Sequence, residues 1–173
     1  MRPSLVRILS PEEAAYLAGL IDGEGTIALT RRHAGENRQL VLTISSTEAA
    51  LVEWTRATLG VGKITRKTTT LPHHAPGLTF CISNRQALDV LAQVAPFLRS
   101  YKRGRAELVL SRYLAVTPRN GKYSPAVRDA RRKFEAEFAS LSVRRSAPAA
   151  GHERGEDKSA GTLHRTPVPG SPS

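Results

Sequence analysis

Leu17-Ala18-Gly19-Leu20-Ile21-Asp22-Gly23-Glu24-Gly25 is the stretch on which the reading of this chain turns. Just upstream, Ser10-Pro11-Glu12-Glu13 has the form of a helix start: serine can cap, proline suits the first helical position, and Glu13 completes a capping box. The pattern predicts a helix from there to about Gly23. It is apolar almost all round, yet it carries Gly19, and a glycine inside a helix costs about 1 kcal/mol relative to alanine. Close approach of another backbone is the usual reason. With Ala18 and Gly23 nearby, two such helices could pack tightly, and since the chain holds one, the pairing would be between copies. The helix ends in Asp22 and Glu24, where the helix dipole disfavours each anion by roughly 0.3–1 kcal/mol. Something must compensate. A divalent cation held by a carboxylate and outward-pointing carbonyls is one answer, a hard-oxygen site suited to Mg²⁺. The other is that Asp22 is tied to neighbouring backbone or a basic side chain and Glu24 is simply exposed.

Outward from this stretch, Thr26 to Arg32 and Gln39 to Ser46 alternate apolar and polar residues across the polar loop His33 to Arg38, a hairpin pattern with Ile27, Leu29, Leu40, Leu42 and Ile44 facing one way. Thr47 can cap a second helix, Glu48 to Leu59, with Leu51, Trp54 and Leu59 as its inward side. Gly60-Val61-Gly62 ends it. A second hairpin pairs Lys63 to Thr70 with Leu78 to Ser83 across a loop carrying Pro72 and Pro76. Asn84 caps a third helix through Ala95, striped by Leu88, Leu91 and Val94. After Pro96 to Ser100, Leu108, Leu110, Tyr113 and Leu114 argue a fourth helix ending before Pro118, and a charged last helix runs from about Ser124 to Leu141. Trp54 and Phe97 are expected in the core. The order α-β-β-α-β-β-α-α-α implies an α+β domain: a four-stranded antiparallel sheet with helices on one face.

The 173 residues carry 26 Lys plus Arg against 15 Asp plus Glu, a formal charge of +11. From Arg144 onward five basic residues oppose three acids, so +2 lies there and +9 in residues 1–143. The folded part is basic in its own right, which points to an anionic partner, most commonly a nucleic acid. Residues 144–173 are rich in Pro, Gly, Ser and Ala and are expected to be a disordered tail. No apolar run approaches the roughly 20 residues of a membrane span. The first residues, broken by Arg2, Pro3 and Arg7, do not form a secretory signal, and the single Cys81 excludes an internal disulfide framework, so an intracellular protein with no membrane partner is expected.

The face of the sheet turned from the aliphatics would present Ala28, Thr30 and Arg32, then Gln39, Val41, Thr43 and Ser45, then Lys63, Thr65 and Lys67, then Thr79 and Cys81. A solvated face is the plain alternative. Yet these side chains include no acid, and Thr, Ser, Gln and Arg donate to both phosphates and base edges, which favours a surface that meets nucleic acid.

Leu17 to Gly25, LAGLIDGEG, resembles the signature of the LAGLIDADG homing endonucleases, matching seven of nine letters with Gly for the Ala and Glu for the second Asp. The resemblance extends through the α-β-β-α-β-β-α order, the Gly60-Val61-Gly62 turn, and Pro96-Phe97-Leu98 followed by Lys102, Arg103 and Leu108, covering about residues 10–117. It implies a saddle-shaped sheet and a site-specific double-strand DNA endonuclease using Mg²⁺, with Mn²⁺ or Ca²⁺ as substitutes for binding. By this likeness Glu24 is the metal ligand, with an extra methylene relative to the family's Asp; Gly23 offers its carbonyl to the metal; Asp22 is structural; Lys102 lies near the scissile phosphate; and Glu48 falls where relatives place a polar residue that orders solvent, although an acid there also suits the first turn of a helix. Relatives with one motif copy work as homodimers. Two copies would cross their motif helices through Ala18, Gly19, Asp22 and Gly23, bring two Glu24 carboxylates together, and act on a long, roughly palindromic duplex, leaving 5′-phosphate and 3′-hydroxyl ends with short 3′ overhangs.

Elsewhere the signals are plainer. His73-His74 has no cysteine partners and reads as loop rather than zinc site. Arg99, Lys102, Arg103 and Arg105 read as phosphate contacts, with a solvated helix start as the alternative. The competing function is a protein of the same fold that binds without cutting, either an intron RNA maturase or a transcription regulator.

Overall fold

The computed structural model describes residues 5–31, 33–66, 77–119 and 121–142. Ser10 opens α1 (Pro11–Glu24) with the expected capping box: its Oγ accepts the Glu13 N–H at 3.2 Å, and its own N–H donates to Glu13 Oε2 at 3.0 Å. From α1 the chain runs into β1 (Gly25–Thr30), β2 (Gln39–Ser46), α2 (Ala49–Leu59), β3 (Lys63–Arg66), β4 (Leu78–Ser83), α3 (Asn84–Val94), a 3₁₀ turn (Ala95–Phe97), α4 (Lys102–Arg112) and α5 (Pro125–Ser140). The four strands form an antiparallel sheet in the order β1-β2-β4-β3. Among the described residues, no helix is long and apolar enough to cross a membrane.

Strand alternation sets the layers. Ile27, Leu40, Leu42, Ile44, Phe80 and Ile82 are buried on one face, where they meet Leu17 and Ile21 of α1, Val52 and Leu59 of α2, and Val90, Leu91 and Val94 of α3. Each such aliphatic contributes roughly 1.5–3 kcal/mol when withdrawn from water. The other face is half-buried or exposed throughout. Gly62 takes φ +93° entering β3, and a Cβ there would stand 2.3 Å from the Phe80 ring, so the turn needs glycine on two counts.

Several local expectations are corrected. Thr47 does not cap α2: Glu48 occupies the cap position without a side-chain cap bond, because Ser46 Oγ takes the Glu48 N–H at 3.0 Å and closes the turn one residue earlier. Asn84 is the first residue of α3, not its cap, and adopts φ +53°. Its side chain is committed elsewhere. It accepts from Tyr113 Oη at 2.8 Å and donates to Gln39 Oε1 at 3.2 Å, while Tyr113 Oη accepts the Leu40 N–H at 3.0 Å. In α4 the inward row is Lys102, Ala106, Val109 and Tyr113, and Leu110 and Leu114 are 36% and 50% exposed. The helical period puts positions 102, 106, 109 and 113 on one side and turns 110 and 114 past it. Val52, Thr55 and Thr58 replace Leu51 and Trp54 on the buried side of α2; Trp54 and Phe97 are half-buried at the core margin, Trp54 standing edge-on to Tyr16 with centroids 4.8 Å apart.

The β1 edge of the sheet is closed by guanidinium groups. Arg105 Nη1 donates to the Ile27 carbonyl at 3.0 Å and Arg38 Nη1 to the Leu29 carbonyl at 3.2 Å, so outward carbonyls of β1 are satisfied by side chains, not by another strand. Arg131 of α5, 4% exposed, locks this edge by donating to the Arg38, Val116 and Thr117 oxygens and pairing with Glu135.

At the junction of α1 and β1, a Cβ on Gly25 would stand 2.6 Å from Ile21 Cα and 2.7 Å from the Ile21 carbonyl oxygen. The last glycine of the nine is required by space. Its φ of −92° suits any residue. Gly25→Ala is expected to lower unfolding free energy by about 1–3 kcal/mol, read from urea denaturation.

Candidate functional site

The carboxyl end of α1 meets the amino end of α4, and each helix supplies the charge that the other lacks. Asp22 Oδ2 accepts the Arg99 N–H at 2.7 Å, and Asp22 Oδ1 accepts from Ser100 Oγ at 2.6 Å and the Ser100 N–H at 3.3 Å. Lys102 returns across the same junction: its Nζ donates to the carbonyls of Ile21 at 2.7 Å and Asp22 at 2.9 Å. Lys102 is 6% exposed. Burial is the largest influence on its ammonium and holds its pKa below the ordinary lysine value, although Asp22 and Glu24 pull it upward. For Asp22, burial raises the pKa, but the Ser100 hydroxyl, the two backbone N–H groups and Lys102 together outweigh it and leave the carboxyl below 3.8.

This junction resolves the question of the two acids. Asp22 is tied to backbone and hydroxyl donors, and Lys102 compensates the helix end. Two residues expected as phosphate contacts are engaged within the protomer: Lys102 on α1 carbonyls, and Arg105, besides its bond to Ile27, donates to the Leu141 carbonyl at 2.5 Å and lies over the Phe138 ring at 4.8 Å. Arg103 is paired with Glu107 at 2.8 Å on the exposed side of α4, while the exposed Arg99 side chain has no partner among the described residues. Sequence spacing carried a signal for the buried cations. Lys102 and Arg131 fall on the inward rows of their helices, Lys102 with Ala106 and Val109, Arg131 with Phe134 and Phe138.

Glu24 is different. It is exposed, and its carboxylate has no hydrogen-bond or ion-pair partner among the described residues. It stands at the cation-favouring end of α1, next to exposed Gly23. Glu48 follows β2, whose Ile44 pairs with Gly25, so it lies toward the same end of the sheet, exposed and without a side-chain partner among the described residues. Among the described residues, no three His, Cys, Asp or Glu side chains gather into a metal-holding group. One protomer thus offers a hard cation one free carboxylate and helix-end carbonyls, a donor set that fits Mg²⁺ as part of a site completed from elsewhere.

The outward sheet residues form transverse rows. Thr26, Thr43, Cys81 and Lys63 make one, Ala28, Val41 and Ser83 another, Ser45, Thr79 and Thr65 a third, and Thr30 pairs with Gln39 at one end. Ser45 Oγ and Thr79 Oγ1 share a hydrogen bond of 2.8 Å. Arg32, Lys67 and the His73-His74 pair lie outside the described residues, as do residues 144–173. Thr26 and Ser83 belong to the face and were missed, although the alternation of their strands points to both.

For pairing between copies, one residue is corrected. Ala18 is 0% exposed, turned into its own core, while Asp22 is half-buried at the α4 junction. The open row of small residues is Ala15, Gly19 and Gly23, and nothing lies within 4 Å of a Cβ built on either glycine.

Because the folded pKa of Asp22 is lowered, its contribution to stability is complete above about pH 4 and is lost as acid titrates the group through that lowered value. Asp22→Asn is expected to flatten this acid limb in urea unfolding and to remove about 1–3 kcal/mol at pH 7, since an amide N–H₂ would face the backbone donors. Lys102→Met, leaving the Asp22 carbonyl without its donor and the Ile21 carbonyl with the Gly25 N–H alone, is expected to cost about 1–3 kcal/mol by the same measurement.

No protein-family model matches the sequence, and no curated protein matches it. Solved structures do. The chain is similar to the homing endonuclease I-CvuI in complex with its target, with TM-score 0.62 and 20% identity over 77% of this chain and 83% of that one. It is similar also to the I-SmaMI LAGLIDADG homing endonuclease bound to cleaved DNA, with TM-score 0.55 and 18% identity over 79% of this chain and 46% of that one. For the homing endonuclease I-TnaI the TM-score is 0.51 at 16% identity, over 78% of this chain and 95% of that one. The four-stranded antiparallel sheet with its covering helices is the homing-endonuclease fold.

Proposed function

We propose that the chain is a site-specific double-strand DNA endonuclease of the LAGLIDADG type, acting as a homodimer on a long, roughly palindromic duplex by Mg²⁺-dependent hydrolysis. The observation that carries this reading is Glu24: a free, exposed carboxylate at the cation-favouring end of α1, at the margin of an outer sheet face that holds no acid. The folds of I-CvuI, crystallised in complex with its target, and of I-SmaMI, crystallised on cleaved DNA, support it.

In this reading Glu24 and the Gly23 carbonyl hold the metal, and the site is completed by the same groups of a second copy packed along the Ala15, Gly19 and Gly23 row. What Mg²⁺ supplies when bound is positive charge at the attacking water and the leaving oxygen. The chain supplies position. Asp22 and Lys102 fix the end of α1, so Glu24 projects from a rigid helix terminus, and the Ile21 and Asp22 carbonyls are withdrawn from competing for the cation. Thr26, Thr30, Gln39, Thr43, Lys63 and Thr65 then offer hydroxyl, amide and ammonium groups to phosphates and base edges.

One observation favours the second reading, a maturase or regulator that binds without cutting: the buried Lys102 ammonium already serves two carbonyls. Selection of cleaved sites from a randomised duplex library with Mg²⁺ separates the readings. The expected result is cutting by the wild type, with Glu24→Gln binding the selected duplex while cutting at least about a thousandfold more slowly. Binding without cutting by both proteins, or preference for structured RNA, would establish the second reading. Gly19→Glu, at an exposed position where an added Cβ meets nothing within 4 Å, is expected to leave a folded protein whose light-scattering mass is that of one chain.

A further inference from the structure

At the far end of the sheet from Glu24, the 33–38 turn, the start of α3 and residues Thr117, Pro118, Arg119, Gly121 and Tyr123 line a cleft of about 820 Å³. Two of its lining residues, Gln39 and Ser83, are outward-facing residues of β2 and β4, so the cleft continues the outer sheet face. Its charge is one-sided. Arg38, Arg85, Arg119 and Arg131 line it against the single carboxylate of Glu36.

These four arginines divide into two kinds. Arg131 and Arg38 are fixed: Arg131 is buried and bonded to the Val116, Thr117 and Arg38 oxygens, and Arg38 donates to the Leu29 carbonyl and pairs with Glu135 at 3.6 Å. Arg85 and Arg119, like Arg56 and Arg99 outside the cleft, have no side-chain hydrogen-bond or ion-pair partner among the described residues, whereas the guanidinium groups of Arg7, Arg103, Arg105, Arg112 and Arg132 are engaged. Arg85 and Arg119 thus bring to the cleft two guanidinium groups that no hydrogen bond or ion pair among the described residues engages. A planar guanidinium fork matches the paired oxygens of a phosphodiester.

We infer that this cleft grips the sugar-phosphate backbone of a duplex flank beyond the reach of the sheet, with Arg85 and Arg119 contacting adjacent phosphates. The inference rests on the nucleic-acid reading of the outer sheet face and adds to it a contact that carries no sequence information. It sets how far the protein extends along its target.

The test uses the full chain and a random-sequence duplex of about 40 base pairs, with affinity measured across a KCl series. Each phosphate contact contributes about 0.9 to the slope of log Kobs against log salt. Arg85→Ala/Arg119→Ala is expected to make the slope shallower by about 1.8, so that its affinity deficit is about twelvefold larger at 50 mM than at 200 mM salt. Arg56→Ala, on the exposed side of α2, should leave the slope unchanged, and Arg85→Lys/Arg119→Lys should restore most of it. An unfolding midpoint matching wild type keeps the double variant comparable; if it falls, the Lys pair against single Arg119→Ala decides. An unchanged slope in a variant series whose wild type binds the duplex overturns the cleft assignment alone. Absence of salt-dependent duplex binding by the wild type overturns the nucleic-acid reading as well, and a larger slope loss on structured RNA than on duplex overturns the choice of duplex.

Discussion

The structure depends on one electrostatic exchange, the meeting of the negative end of α1 with the positive start of α4. A helix end leaves carbonyls without internal partners and a helix start leaves N–H groups likewise. Here Lys102 of α4 answers the Asp22 carbonyl and adds to the Gly25 N–H on that of Ile21, and Asp22 of α1 accepts the Arg99 and Ser100 N–H groups of the turn that leads into α4. Each charge sits at the helix end whose dipole favours it, once the partner helix is counted. Removing either leaves the other partly buried beside unsatisfied backbone, which is why the pair belongs to the architecture before it belongs to any chemistry.

That exchange has a consequence for Glu24. With Asp22 and Lys102 hydrogen-bonded to each other's end of the junction, the motif ends in one acid that has no hydrogen-bond or ion-pair partner among the described residues, on a terminus held from both sides. The β1 strand leaves directly from that terminus, and Gly25 permits the close approach to Ile21 that turns helix into strand. Carboxylate and acid-free face are thus set against each other by covalent continuity, with no loop between them to blur the geometry.

The positive charge of the chain is likewise divided by position. Lys102, Arg105 and Arg131 are interior fittings, serving carbonyls at the end of α1, on β1, and at Arg38 and Val116 respectively. They add to net charge without adding to the surface field in proportion. The charge that can meet an anionic partner is carried by groups such as Lys63, Arg85, Arg99 and Arg119, and a count of basic residues does not separate the two sets.

Local patterns in the sequence determined the capping box at Ser10, the strand alternation that divides Ile27 and Leu42 from Ala28 and Thr43, the order of elements, and the pairing of the β1-β2 and β3-β4 hairpins. Each depends on periodicity or on neighbours within a few residues, and such signals are written in the chain itself. The fate of Asp22, Lys102, Asn84 and Arg131 was decided only in three dimensions. Their partners lie 77, 80, 45 and 93 residues away, for Arg99, the Asp22 carbonyl, Gln39 and the Arg38 carbonyl respectively. A sequence shows that a charge exists and on which side of a helix it falls; whether that charge is consumed inside the protein or left for a ligand depends on which distant backbone groups the fold brings within hydrogen-bonding reach.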